Sequence, residues 1–286
     1  MKKVFRLSLL IFLFLFPQFS DAKTEVIQIK GSDTMVNLGQ AWAEEFMTEH
    51  PEVSIAVTGG GSGTGIAALV SGTTTLAQSS REMKPEEKAA VKKSAGKEVK
   101  EFKVAMDALA VIVNPAHPIS ELSIDQLSDI FTGKIKNWKE AGGPDEPILV
   151  LSRDRNSGTH VYFLEHVLRK GNAKGPEEFS ASALMMPSSQ VIIQEVSRSK
   201  AAIGYVGLGY VNKEVKTLGI KKTAVDSAVP PSIETAQNGT YPISRALYIY
   251  SAGESEGAVK DFIDFVFSPK GQEIVRAMDF VPLNKG

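Results

Sequence analysis

Apolar residues in this chain come in short bursts that switch between two periods. Residues 26–29, apolar but for Gln28, read as a short buried strand. Leu38, Trp42 and Phe46 then recur every four positions, as on one face of a helix, and Val53, Ile55 and Val57 alternate with Glu52, Ser54 and Ala56 as in a strand. A short helix over 66–70, a strand over 76–78 and a polar helix over 85–94 opened by Pro85 follow. The near-continuous apolar run 107–113 stops at Asn114-Pro115, and the pattern restarts. Ser123-Ile124-Asp125-Gln126 reads as a capping box opening a helix that ends near Gly133. Beyond it the sequence predicts a strand over 148–151, a helix over 158–170, a helix over 190–199 and a strand over 202–209. The polar stretch 213–239, with Pro230-Pro231, reads as loop; a second apolar strand covers 245–251. Val259, Phe262, Ile263 and Val266 mark a final amphipathic helix. Strand, loop and helix repeated in this order predict an α/β fold with a mostly parallel sheet covered by helices.

Two apolar strands stand apart from that repeat, at 108–113 and 246–251. They suit a chain that leaves one domain and later returns to it, giving lobe I as 23–107 plus 248–286 and lobe II as 108–247. Two such crossings would form a hinge, with loops of both lobes facing one cleft. The N-terminus carries Lys2, Lys3 and Arg6, an apolar run over 7–16, and Ser20-Asp21-Ala22. That pattern predicts a cleaved signal peptide over 1–22, an uncleaved anchor being the plainer alternative. Cysteine is absent, so disulfides and lipidation on cysteine are excluded. The formal charge is −1, and removing three positive and one negative side chain with the first 22 residues leaves about −3. No basic excess suggests nucleic acid, and no second long apolar run suggests membrane.

Candidate chemistry lies in four strand-to-helix loops: Gly31-Ser32-Asp33-Thr34, residues 59–65, Ser79-Ser80-Arg81, and residues 153–159 with Arg153, Ser157, Gly158 and Thr159. Glycine permits sharp turns and close approach, helix-start N–H groups and hydroxyls donate, and arginine adds a planar charged fork. Four such loops suit a small oxyanion. The glycine-rich loop is no nucleotide P-loop, because Gly63-Thr64-Gly65 lacks the lysine. Arg153 could instead form a surface ion pair with Asp154, Arg81 a salt bridge bracing its loop, and Ser79 or Ser80 a helix cap. His160 reads as a helix-surface residue, Phe131 and Trp138 as packing residues, and no spacing suggests a metal site.

These segments, together with Phe131-Thr-Gly-Lys-Ile-Lys-Asn-Trp138 and Ala202-Ile-Gly-Tyr205, resemble the PstS-type phosphate-binding proteins of phosphate ABC transporters, over essentially the whole chain after residue 22. The resemblance implies a two-lobed type II periplasmic binding protein fold with a two-strand hinge. It also implies a periplasmic monomer without metal or cofactor that delivers inorganic phosphate to a permease and its ATPase. Carried over by motif, the ligand set would include Thr34, the Met35 N–H, Ser62, Arg153, Ser157, Gly158 and Thr159. Ser32, Gly63, Ser79, Ser80, Arg81 and Asp107 complete the candidates. Well-known family members place an aspartate where this chain has Ser80, so the acceptor for a phosphate proton stays open: Asp33, Asp107 or neither. Two rival functions are a binding protein for another oxyanion such as sulfate and a secreted phosphatase on the same scaffold. An added sensing or adhesion role also stays open.

Overall fold

The computed structural model describes residues 25–283; the signal-peptide reading falls outside them. The first half of the chain runs β1 (Glu25–Gly31), α1 (Val36–Glu49), β2 (Val53–Thr58), α2 (Ser62–Val70), β3 (Leu76–Ser79), α3 (Pro85–Ala95) and β4 (Val99–Val113). After β5 (Glu121–Ser123) and α4 (Ile124–Thr132) come β6 (Leu149–Arg153), α5 (Gly158–Phe163), β7 (Leu184–Met186), α6 (Ser189–Arg198) and β8 (Ala202–Gly207). The chain closes with β9 (Lys216–Thr217), β10 (Gly219–Lys221), α7 (Ile233–Gln237), β11 (Ser244–Ala252), α8 (Gly257–Phe267) and α9 (Pro269–Ala277).

Sheet order is β2-β1-β3-β11-β4-β8-β6-β7. β1, β2 and β3 are mutually parallel, and β11 inserts antiparallel between β3 and β4. β4 is the member shared by both lobes. Its first part, from Val99 to Ala108, pairs with β11, and its last part, from Leu109 to Val113, pairs with β8. β6 and β7 then run parallel to β8 and to each other. The result is the two-lobed α/β architecture of type II periplasmic binding proteins.

Each lobe has its own apolar core. Ile27, Ile29, Leu38, Trp42, Phe46, Phe262 and Val266 fill the first, so the spacing seen in α1 and α8 is that of faces turned inward. Val111, Leu127, Phe131, Trp138, Phe163 and Tyr205 fill the second. The capping box forms as predicted: Ser123 Oγ accepts the Gln126 N–H at 3.1 Å while Gln126 Oε1 accepts the Ser123 N–H at 2.9 Å.

Several elements differ from the sequence reading. β4 begins at Val99 rather than near residue 107, because Lys100, Glu101 and Lys103 mask its start with charge. The stretch 213–239 is not all loop; it holds β9, β10 and α7. α5 gives way after Phe163 to a wider π turn over Leu164–Leu168. A separate helix, α9, follows α8 because Ser268-Pro269 stops one helix and caps the next, with Ser268 Oγ accepting the Gly271 N–H.

α9 is tied to α1 by a buried bond from Trp42 Nε1 to the Gly271 carbonyl at 2.8 Å. Gly271 has no room for a side chain, since a Cβ would lie 2.2 Å from the Phe265 carbonyl oxygen. Trp42→Phe keeps the ring but strands that carbonyl, so it should lower unfolding free energy by about 1–3 kcal/mol. A urea titration checks this through a reduced midpoint at unchanged slope.

Candidate functional site

The four candidate loops leave the carboxyl ends of β1, β2, β3 and β6, the edge of an open α/β sheet where ligands bind. Thr34 Oγ1 of the first lobe lies 2.8 Å from Thr159 Oγ1 of the second. Thr159 Oγ1 is 3.5 Å from Ser80 Oγ, which is 3.4 Å from Ser62 Oγ. All four side chains are buried. Four loops thus converge on one cluster of hydroxyl groups, three from one lobe and one from the other.

Backbone turns make that convergence possible. Gly60 and Gly61 hold φ of 108° and 98°, values that side chains oppose, and Gly61 rests against Asn156 of the other lobe. Gly158 sits under the cluster, where a Cβ would lie 2.3 Å from Ser62 Oγ and 2.8 Å from Ser80 Oγ.

The orientation of the hydroxyl protons follows from what stands behind them. A hydroxyl has one proton to give, and an N–H aimed at its oxygen leaves that proton free to point elsewhere. Ser62 Oγ accepts the Ser80 N–H at 3.1 Å, and Ser157 Oγ accepts the Thr159 N–H at 3.2 Å as the cap of α5. Thr34 Oγ1 accepts from Arg245 Nη2 at 3.4 Å. Two of the cluster's four hydroxyls, Ser62 and Thr34, are therefore primed to donate, which suits an anion.

Charge around the cluster is paired. Arg153 is buried, and its Nη1 lies 3.2 Å from Asp33 Oδ2 across the lobes. It also donates to Ser189 Oγ and to the Met186 and Pro187 carbonyls, so its ion pair is with Asp33, not with Asp154 at the surface. Asp33 Oδ2 accepts the Ser189 N–H at 2.9 Å as well. Asp107 is fully buried, with Oδ2 2.9 Å from Arg245 Nη2 and Oδ1 accepting the Leu208 N–H. Burial lifts the Asp107 carboxyl above its ordinary range, while Arg245 pulls it back.

The remaining candidates are placed otherwise. Arg81 grips Glu87 with both terminal nitrogens, at 2.8 and 2.7 Å, and bonds the Glu82 carbonyl, so it braces its own loop. Ser79 Oγ donates to the Arg81 carbonyl. The Met35 N–H is taken by the Ser32 carbonyl and the Gly63 N–H by the Asn156 carbonyl, while Ser32 is buried in the first loop.

A family model described as a PBP superfamily domain matches residues 20–270. The phosphate-binding protein PstS of Pseudomonas aeruginosa is 34% identical over 270 residues, covering 88% of this chain and 81% of that protein. PstS of Bacillus subtilis is also 34% identical, covering 90% and 80%. The chain belongs to the PstS family of the PBP superfamily. Among solved structures, an ABC transporter substrate-binding protein of Clostridium perfringens, described with bound phosphate, is 33% identical at a TM-score of 0.81, covering 91% of this chain and all of that one. A phosphate transport receptor of Vibrio cholerae is 28% identical at 0.71. Family members are substrate-binding proteins of transport systems.

Within this member of the family, sequence reading missed two groups and misjudged a third. Arg245 reads in the sequence as the start of an apolar strand; a charge opening a largely buried run is the signal available. Asn156 was unmarked, yet its Nδ2 donates to the Gly60 carbonyl at 2.7 Å and to Thr64 Oγ1 at 2.9 Å across the cleft. His160 is not on the surface. It stacks on Phe179 and bonds Ser152 Oγ through Nδ1, and burial pushes its imidazole down to about 4.

An unfolded histidine titrates near 6.5, so between pH 6.5 and 4 the unfolded chain takes up a proton that the folded one refuses. Stability should fall with pH through that window, by on the order of 3 kcal/mol once both values are passed. His160→Phe keeps the stack and removes the proton site. Denaturation at pH 7 and pH 4 should show a smaller pH loss in the variant than in the parent.

Proposed function

We propose that this protein captures inorganic phosphate between its lobes and hands it to a membrane permease driven by an ATPase, from an extracytoplasmic position and as a monomer. The hydroxyl cluster that joins Thr34 to Thr159 at 2.8 Å carries this reading. Phosphate has no apolar handle, so a dry site must replace its hydration shell with aimed donors. Ser62, Ser157 and Thr34 supply them, with Ser80 and Thr159 free to give or accept. An acceptor matters because phosphate near neutral pH carries a proton of its own. Capture and release involve no covalent step. The proposal includes the division into lobes 23–107 with 248–286 and 108–247, with the return placed nearer Ser244, where β11 starts to pair with β4.

Two buried arginines face two carboxylates here, Arg153 with the partly buried Asp33 and Arg245 with the fully buried Asp107. The site holds no surplus positive charge from these pairs, which favours a protonated anion over a fully ionised dianion. Phosphate should bind at about micromolar affinity or tighter, and roughly thousandfold excess sulfate should not displace it. Isothermal calorimetry decides: equal affinity for the two anions removes the assignment of phosphate.

Gly158→Ala tests the closed arrangement. Alanine suits a helix better than glycine, but its methyl would strike Ser62 and Ser80 when the lobes meet. Phosphate affinity should drop roughly ten- to hundredfold. The thermal midpoint without phosphate should change little, and unaltered affinity would mean that the lobes do not close on this contact.

A further inference from the structure

Arg245 is assigned no role by the motifs of the four loops, yet it is the arginine whose nitrogen reaches a cluster hydroxyl. It lies on β11 directly opposite Asp107 on β4, in register across the two strands that join the lobes. Both residues are buried. Nε and Nη2 hold Asp107 Oδ2 at 3.2 and 2.9 Å, which fixes the guanidinium plane. The other edges of that plane then point at the loops. Nη2 donates to Thr34 Oγ1 at 3.4 Å, and Nη1 donates to the Ser80 carbonyl at 3.2 Å. The N–H of the same residue, on the preceding peptide, goes to Ser62 Oγ. One guanidinium therefore stands behind three of the four hydroxyls: Thr34 directly, Ser80 through its backbone, Ser62 through Ser80.

We propose that Arg245 is a positioning residue of the anion site, which turns the Thr34 hydroxyl into an obligate donor toward phosphate and is itself aimed by Asp107. The idea rests on the phosphate reading above. It assigns the Arg245–Asp107 pair a task that an apolar replacement of equal volume could not perform, since ion pairs of this kind add little net stability by themselves. It also assigns Asp107 the aiming of the site's cation rather than direct contact with the anion. A lysine would not substitute, because a point ammonium lacks the fork that reaches Asp107, Thr34 and Ser80 together.

The test is a double-mutant cycle read by phosphate calorimetry. Arg245→Gln combined with Asp107→Asn replaces the pair without stranding a buried charge. Thr34→Val removes the hydroxyl it serves. Each should weaken phosphate roughly tenfold or more. Once Thr34 is valine, replacing the pair should cost less than about threefold more. The same cycle against Asn156→Ala, which lies on the opposite clasp, should be multiplicative. Multiplicative losses with Thr34→Val, or a pair variant that binds like the parent, would overturn the proposal. Should the neutral pair fail to fold, Arg245→Lys keeps the charge balance and should still lose affinity roughly tenfold, with parental binding counting against the idea. Absence of phosphate binding by the parent protein would instead remove the phosphate reading, and this inference with it.

Discussion

The crossing of β4 and β11 between the lobes is the constraint on which the site depends. Each lobe folds around its own apolar core, and only a few first-lobe residues beside the crossing strands, Met106 and Val281, reach into the core of the other. The orientation is set where the strands pass, and there the chain places a buried aspartate opposite a buried arginine. Apolar side chains at those positions would hold the strands equally well, but would aim nothing at the loops. With Asp107 and Arg245 in place, the hinge and the first-lobe side of the site are one hydrogen-bonded unit.

Much of the fold could be read from period alone, because α1, α8 and the parallel strands turn their apolar positions into separate cores. Reading failed where charge hid a strand, as at Lys100, Glu101 and Lys103, and where a helix changed its winding after Phe163. Of the site, the hydroxyls were legible because glycine-rich turns in front of helices have few other uses. Their partners were not. Whether Arg153 meets Asp154 or Asp33 depends on a contact between segments far apart in the chain, and Arg81 meets Glu87 only because the turn before α3 brings the two together. Arg245 comes 211 positions after Thr34, and no local pattern announces that contact.

The same distinction separates the arginines by task. Arg81 stiffens one loop through Glu87. Arg153 spans the lobes, meeting Asp33 from the first and the segment before α6 from the second. Arg245 stands behind the donors. The cations around the hydroxyl cluster thus serve mainly to fix geometry, each held by a carboxylate of its own.

Nearly everything named across the cleft is polar: Asp33 with Arg153 and the Ser189 N–H, Tyr210 with the Asp33 carbonyl, Asn156 with Gly60 and Thr64, and Thr34 with Thr159. Bringing such surfaces together hides little hydrocarbon from water, and hydrocarbon is what makes association enthalpy drift with temperature. Joining the lobes at these points therefore draws on hydrogen bonds and an ion pair more than on the burial of hydrocarbon.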